Sequence, residues 1–356
     1  MANSITIKGG AGDFGLKSYI PEIYSPKLRE KFWDNTLLRK ICNTEFTGKF
    51  KNKGDTIVVR CLPNIPTSKF VAGQKIDYFR PKSYDVKYTI DRARYYAFVV
   101  DDVQKAFSDI PNWAEKWTGE GAKQLAQDEE LEFLADIGSG TKCHEKNTGD
   151  ATYGKAGFRG GGYKIGCGTH PVALYADTPD AALAANVGTT TNYACDRATP
   201  TDFITRLAAV LNEQPGGFGI NPFVVVPVWM TQMLQNSELK KADMVGDPVS
   251  LLRKDAVTSI GKIAGMTIYV SNLLPSDDFT LSYNTSSATT GSVKRFPIIF
   301  GDQSAITFAD EVSKTEVLRD KDVVGDFHRS YHVYDWFPRL PERFGVGFVV
   351  DGRSVA

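Results

Sequence analysis

Five cysteines and histidines that could act as metal ligands fall within residues 139–200. Cys143 and His144 are adjacent, Cys167 and His170 are separated by two residues, and Cys195 follows. Thiolate and imidazole suit zinc, and a zinc ion can order a loop that has no core of its own. Their spacing matches no zinc-finger or ribbon pattern. The reading taken is therefore no metal site and no cofactor, with free thiols and incidental histidines. Hydrolytic chemistry has no better support, because a nucleophile elbow, a His-Glu-x-x-His pair and paired acids in a cleft context are all missing. Gly160-Gly161-Gly162 lacks the Lys-Ser/Thr that follows a phosphate loop, and no buried strand precedes it. His328 and His332 lie four apart in a strand-like run, so they share a face and read as surface or packing residues. The expectation is that the chain is not an enzyme.

Bulk properties narrow the classes further. The chain has 356 residues, which calls for two or more lobes. Lys+Arg and Asp+Glu are both 42, so the net charge is zero. A subunit that binds DNA tightly by itself usually carries a basic excess. A neutral chain also lacks the self-repulsion that keeps copies apart, which suits an assembling protein. The longest apolar run, residues 223–230, is broken by Pro227 and too short to span a bilayer. Five cysteines form no small-domain disulfide framework, which points to free thiols in a reducing cytoplasm.

The elements that would position any site centre on residues 95–138. Ser108-Asp109-Ile110-Pro111 reads as a helix start, and Gly138-Ser139-Gly140 as its stop. Trp113, Trp117, Gly121, Gln124, Leu125, Asp128, Leu131 and Ala135 recur at three- and four-residue steps and are expected to share the packed face. Glu129, Glu130 and Glu132 are expected to face water. Asp128 falls on the packed stripe, where an unpaired carboxylate is costly. Either it bonds a neighbouring backbone or Arg, or it belongs to an interface with another subunit.

Before this helix, residues 1–20 read as an extended arm, and residues 26–42 as a helix marked by Leu28, Phe32, Leu37, Leu38 and Ile41. Residues 56–62 and 83–96 read as two strands, with Tyr84, Val86, Tyr88 and Ile90 on one side. Between them lie about twenty residues with Lys69, Lys75, Arg80 and Lys82. Such a hairpin buries little at home and should protrude or lie on another chain. Residues 139–200 are glycine-rich and read as loops and short strands, an insertion or surface excursion. From Thr201 a helix–strand–helix–strand order suggests a mixed α/β lobe, capped at Thr199-Pro200-Thr201-Asp202. The late β-structure suggests that the chain returns to an earlier sheet.

In this order the sequence resembles the major capsid proteins of tailed bacteriophages with the Hong Kong 97-type fold. The carriers are Tyr19-Ile20-Pro21-Glu22-Ile23-Tyr24-Ser25, Phe50-Lys51-Asn52-Lys53-Gly54-Asp55-Thr56-Ile57 and Asp101-Asp102-Val103-Gln104. Further carriers are Gln127-Asp128-Glu129-Glu130, Val224-Val225-Val226-Pro227-Val228-Trp229 and residues 263–272. The resemblance implies an α+β capsid fold. Residues 1–48 would be an N-terminal arm with the first helix, and 49–100 an extended hairpin, the E-loop. Residues 101–140 with 296–356 would form a peripheral domain on a spine helix, and 201–295 an axial domain. Residues 141–200 would remain a Gly/Cys-rich insertion or surface loops.

The implied function is self-assembly into an icosahedral shell around packaged double-stranded DNA, in a virion made in the bacterial cytoplasm. The implied partners are copies of the chain as hexamers and pentamers, a portal, a separate scaffolding protein, non-specifically held DNA and, as an option, a decoration protein. No membrane is involved. Lys69, Lys75, Arg80, Lys82 and Asp128 are candidates for the assembly interface; Lys8, Lys17, Lys116 and Lys123 are candidates for facing DNA. The alternatives are an encapsulin-type shell around an enzyme cargo, or a metal-dependent enzyme using the Cys/His group.

Overall fold

The computed structural model describes residues 37–45, 55–61, 65–69, 72–73, 75, 78–82, 84–102, 113–149, 155–156, 162–175, 197–215, 217, 219, 221–235, 259–282, 290–319 and 324–351. A short helix α1 (Leu38–Ile41) leads to strands β1 (Thr56–Cys61), β2 (Tyr84–Thr89) and β3 (Arg92–Asp101), then to the long helix α2 (Trp113–Gly138). Four short strands follow: β4 (Lys155–Ala156), β5 (Tyr163–Lys164), β6 (Val172–Leu174) and β7 (Arg197–Ala198). Next come α3 (Pro200–Asn212), β8 (Pro222–Pro227), α4 (Val228–Gln235), β9 (Ser259–Ile263), β10 (Met266–Ser271) and β11 (Asp277–Ser282). Four long strands complete the chain: β12 (Thr290–Asp302), β13 (Ile306–Arg319), β14 (Gly325–Pro338) and β15 (Phe344–Asp351).

The largest sheet runs β7-β6-β15-β12-β8-β10-β9, with β11 added on β12. Its central strands are apolar at nearly every position because both faces are covered. Val224, Val226, Ile298, Phe300 and Val349 face a core that contains Phe203, Leu207 and Leu211 of α3 and Met230 and Leu234 of α4. The alternate residues Phe223, Val225, Ile299, Phe344 and Val346 face a second core with α1, α2 and the three-stranded sheet β13-β14-β3. α2 is therefore wedged at the joint between the two sheets through Phe133, Leu134 and Ile137.

Several local expectations hold. α3 is capped by Thr199, whose hydroxyl accepts the Asp202 N–H at 3.3 Å. The chain does return to an earlier sheet, since β14 pairs with β3 along its length. α2 ends at Gly138, and Gly140 follows with a φ of 74°.

Others need correction. The expected strand 83–96 is two strands in different sheets. β2 pairs with β1, and the chain then crosses at Ile90 and Asp91 to the three-stranded sheet. Ile90 is buried with Ala309 and Val333, and the Asp91 N–H donates to Asp335 Oδ2 at 3.1 Å, which fixes the crossing. The stretch 141–200 is more than a surface excursion. β6 and β7 extend the largest sheet, and Ile165, Val172, Ala173 and Leu174 are fully buried. A division of the chain at 295/296 falls inside β12, whose residues beyond that point pair with β15 and β8. The residues that lead into the strand at 267–270 are themselves a strand, β9, turned into β10 by Ala264 and Gly265, both at positive φ, as a two-residue hairpin with the right twist requires. The arm, most of the first helix, the 108–111 helix start and a short helical turn expected at 249–252 lie outside the described residues.

Candidate assembly surface and the helix–sheet junction

The residues singled out from sequence fall into separate places. Lys69, Lys75, Arg80 and Lys82 are exposed and lie beyond the paired part of the β1–β2 hairpin. Ile65, Tyr78 and Phe79 are exposed with them, Tyr78 at 90%. Exposed large apolar side chains and cations in one segment are the composition of a contact surface. Lys116 and Lys123 are exposed on α2, and Lys123 pairs with Glu120 at 3.3 Å. Lys8, Lys17 and Cys195 lie outside the described residues.

Among the described residues, Cys143, His144, Cys167 and His170 are not brought into one metal-binding set. His170 and Cys167 form a local turn, in which the His170 N–H donates to Cys167 Sγ at 3.3 Å. The Cys143 thiol donates to the Gly140 carbonyl at 3.1 Å, and burial pushes it up to about 12, so it keeps its proton. The His144 ring accepts the Lys146 N–H at 3.2 Å and caps a 3-10 turn. Among the described residues no group of three or more His, Cys, Asp or Glu is placed to hold a metal ion.

The dense chemistry lies instead where α2 crosses β3 and β14. Three acids one turn apart on α2, Asp128, Glu132 and Asp136, meet two arginines that alternate on β3. Arg94 donates to Asp128 and Glu132, each at 3.2 Å. Arg92 donates to Glu132 and, at 3.2 Å, to Asp136, and its Nε lies 3.3 Å from Asp335 in an ion pair. Aromatic donors from β14 complete the set. The Tyr334 hydroxyl donates to Glu132 at 2.8 Å, and Trp336 Nε1 to Asp136 at 2.6 Å. The Arg92 guanidinium lies 4.0 Å over the Trp336 ring. Burial alone would raise the Glu132 carboxyl, but hydrogen bonds from Tyr334, Arg94 and Arg92 outweigh it and hold it below the usual 4.5. Asp128, the acid expected either to bond an Arg or to form an interface, is thus engaged by Arg94 and by Gln124 Nε2 at 3.0 Å.

This geometry corrects the expected face of the long helix. Trp117 and Leu131 are exposed at 44% and 51%, while Glu129 and Glu130 are buried at 6% and 1%. The packed stripe is set by Phe133, Leu134 and Ile137, and Glu129 and Glu130 lie one turn earlier on the same side. Both acids are paired. Glu129 Oε1 bonds His332 Nδ1, and Glu130 Oε2 accepts the Leu37 N–H at 2.6 Å. No local pattern signals this, because the partners stand 203 and 93 residues away. Gly121 has a local reason: the Tyr96 ring lies 3.0 Å from where a Cβ would stand.

No protein-family model matches the sequence, and no curated protein matches it. Solved structures do. The chain is similar to a chain of Mycobacterium phage Che8, with a TM-score of 0.57, 21% identity and coverage of 95% of this chain and 98% of that one. It is similar to a chain in the capsid structure of Cyanophage P-SCSP1u, with a TM-score of 0.55, 15% identity and 96% coverage of both chains. A third is in the mature capsid of bacteriophage PhiM1, with a TM-score of 0.54, 15% identity and coverage of 92% and 91%. The chain therefore has the α+β fold of these phage chains, over nearly its whole length.

Proposed function

We propose that the protein is the major capsid protein of a tailed bacteriophage and assembles with many copies of itself into an icosahedral shell that encloses double-stranded DNA. The observation that carries this reading is the likeness to phage capsid chains over nearly the full length of both partners. It leaves no large part of either chain unaccounted for. In this reading the β1–β2 hairpin is the E-loop, which lies across a neighbouring subunit through Ile65, Tyr78, Phe79 and the cations Lys69, Lys75, Arg80 and Lys82. The long helix with the three-stranded sheet is the core of the peripheral domain, and the α3–α4 side of the large sheet is the core of the axial domain. One subunit lending a segment to the next is a heterologous contact, which closes into rings. DNA is held by confinement and weak contacts from exposed lysines such as Lys116 and Lys123, so a neutral subunit suffices.

Deletion of residues 64–80 tests the hairpin's part. The protein should remain folded by circular dichroism and fail to close shells. Shells of normal size from the deleted protein would refute that role.

A further inference from the structure

Beside the arginine network lies a second chain of ionisable groups, three of them buried, that the capsid reading leaves unused. Glu129 on α2, His332 on β14, Asp310 on β13 and Arg39 on α1 follow one another. Glu129 Oε1 bonds His332 Nδ1, His332 Nε2 lies 3.9 Å from Asp310 Oδ2, and Arg39 Nη2 donates to that same oxygen at 2.5 Å. The Glu129, His332 and Asp310 side chains are 8%, 8% and 5% exposed, whereas Arg39 ends the chain at the surface, 73% exposed. Each group belongs to a different element, so the chain ties four elements together.

The same elements grip residues 37–43 from two sides. From α2, Glu130 accepts the Leu37 N–H. From β13, Ile306 O accepts the Asn43 N–H at 2.8 Å, and Asn43 O accepts the Phe308 N–H at 2.8 Å. Leu37, Leu38 and Ile41 fill the space between, against Phe133 and Leu134.

We propose that the Glu129–His332–Asp310–Arg39 chain is a proton-operated latch: one shared proton keeps it neutral and holds residues 37–43 against the long helix, and loss of that proton loosens the grip. Charge counting gives the direction. With one proton beyond that of the neutral imidazole, the chain carries two positive and two negative charges, or one of each when the proton sits on Glu129. Without it, two buried carboxylates face a single guanidinium, with a neutral ring between them. An uncompensated buried charge is costly, and the two acids repel across the joint between α2 and β13. The other charged or titratable groups facing the chain are Glu130 on α2, Arg94 on β3 and Tyr334 on β14, whose ring stacks on His332 at 5.8 Å.

Burial raises the Glu129 carboxyl, against the opposing pull of His332; Asp310 raises it further and Arg94 lowers it. The Glu129 carboxyl therefore holds a proton more tightly in the folded state than in the unfolded chain. The contribution is complete below the ordinary value of 4.5 and is lost as pH rises through the raised folded value.

Hydrogen exchange of the unassembled subunit between pH 5 and pH 8, corrected for intrinsic exchange, reads the latch. The opening constant at the amides of Leu37, Ile41 and Asn43 should rise with pH, by up to about tenfold per pH unit within the window. Val225 and Ile299, central in the large sheet, should not follow. Glu129→Gln has no proton to lose and should flatten the profile. Asp310→Asn removes the second buried carboxylate and should flatten it as well, which keeps the test open if the first variant does not fold. A wild-type profile flat at residues 37–43, or one equally steep in the variants, would overturn the proposal.

Discussion

The buried face of the long helix offers a sharp test, because the sequence pattern and the structure disagree about it. Leu131 belongs to the stripe expected from spacing, yet it is 51% exposed. Leu134 is fully buried, within a core shared with Leu37, Ile41, Phe308 and Trp336. Truncating a buried leucine to alanine removes about 2–3 kcal/mol of transfer free energy, at roughly 0.8 kcal/mol per carbon. The unfilled space adds to this, for a total of about 2–5 kcal/mol. At the half-exposed position the cost should stay near 0.5 kcal/mol. Urea unfolding of the unassembled subunit, followed by tryptophan fluorescence, separates the two, since Trp336 sits in the affected core. Leu134→Ala should shift the midpoint strongly and Leu131→Ala hardly at all. Equal shifts, or a larger shift for Leu131→Ala, would mean that the helix is rotated from the orientation described.

Two glycines of the same helix should respond in opposite ways. Gly119→Ala meets nothing within 4 Å and should stabilise the helix by up to about 1 kcal/mol, whereas Gly121→Ala crowds the Tyr96 ring and should give no such gain. Glu132 is held below its ordinary 4.5, so its contribution is present above that value and lost as pH falls through the lower folded one. Glu132→Gln should therefore cost roughly 1 kcal/mol at neutral pH, a figure discounted for its partial exposure, and should make acid unfolding less steep. Replacing Lys116 and Lys123 with glutamine should weaken non-specific DNA binding by the subunit and lower its salt dependence by about one unit of slope per lost phosphate contact. A sequence-specific complex that survives high salt would contradict this, because backbone neutralisation alone cannot produce one.

What the sequence made legible was local. The end of the long helix is written in Gly138-Ser139-Gly140, the start of α3 in Thr199-Pro200-Thr201-Asp202, and the inward side of β2 in the alternation of Val86 and Tyr88. What stayed hidden depends on distant partners. Glu129 and Glu130 look like solvent-facing acids until His332 and the Leu37 amide arrive to pair them. Arg92 and Arg94 look like ordinary strand cations until α2 folds back along β3 and sets three acids against them. The break at Ile90 is invisible because both strands share one alternation; only the buried contact with Ala309 and Val333 shows where the chain changes sheet. The glycine-rich stretch reads as loops and short strands, but strands of three and two residues carry too little pattern to show that β6 and β7 join the largest sheet.

The most direct test of the capsid reading is electron microscopy of the purified, full-length protein under assembling conditions. Closed shells should form, with five- and sixfold clusters of the chain and a hairpin from each subunit crossing its neighbour, and shells recovered from infected cells should contain double-stranded DNA. Small uniform shells enclosing a protein cargo would point to an encapsulin-type role instead. A protein that remains monomeric under every assembling condition, or that carries stoichiometric zinc, would contradict the account.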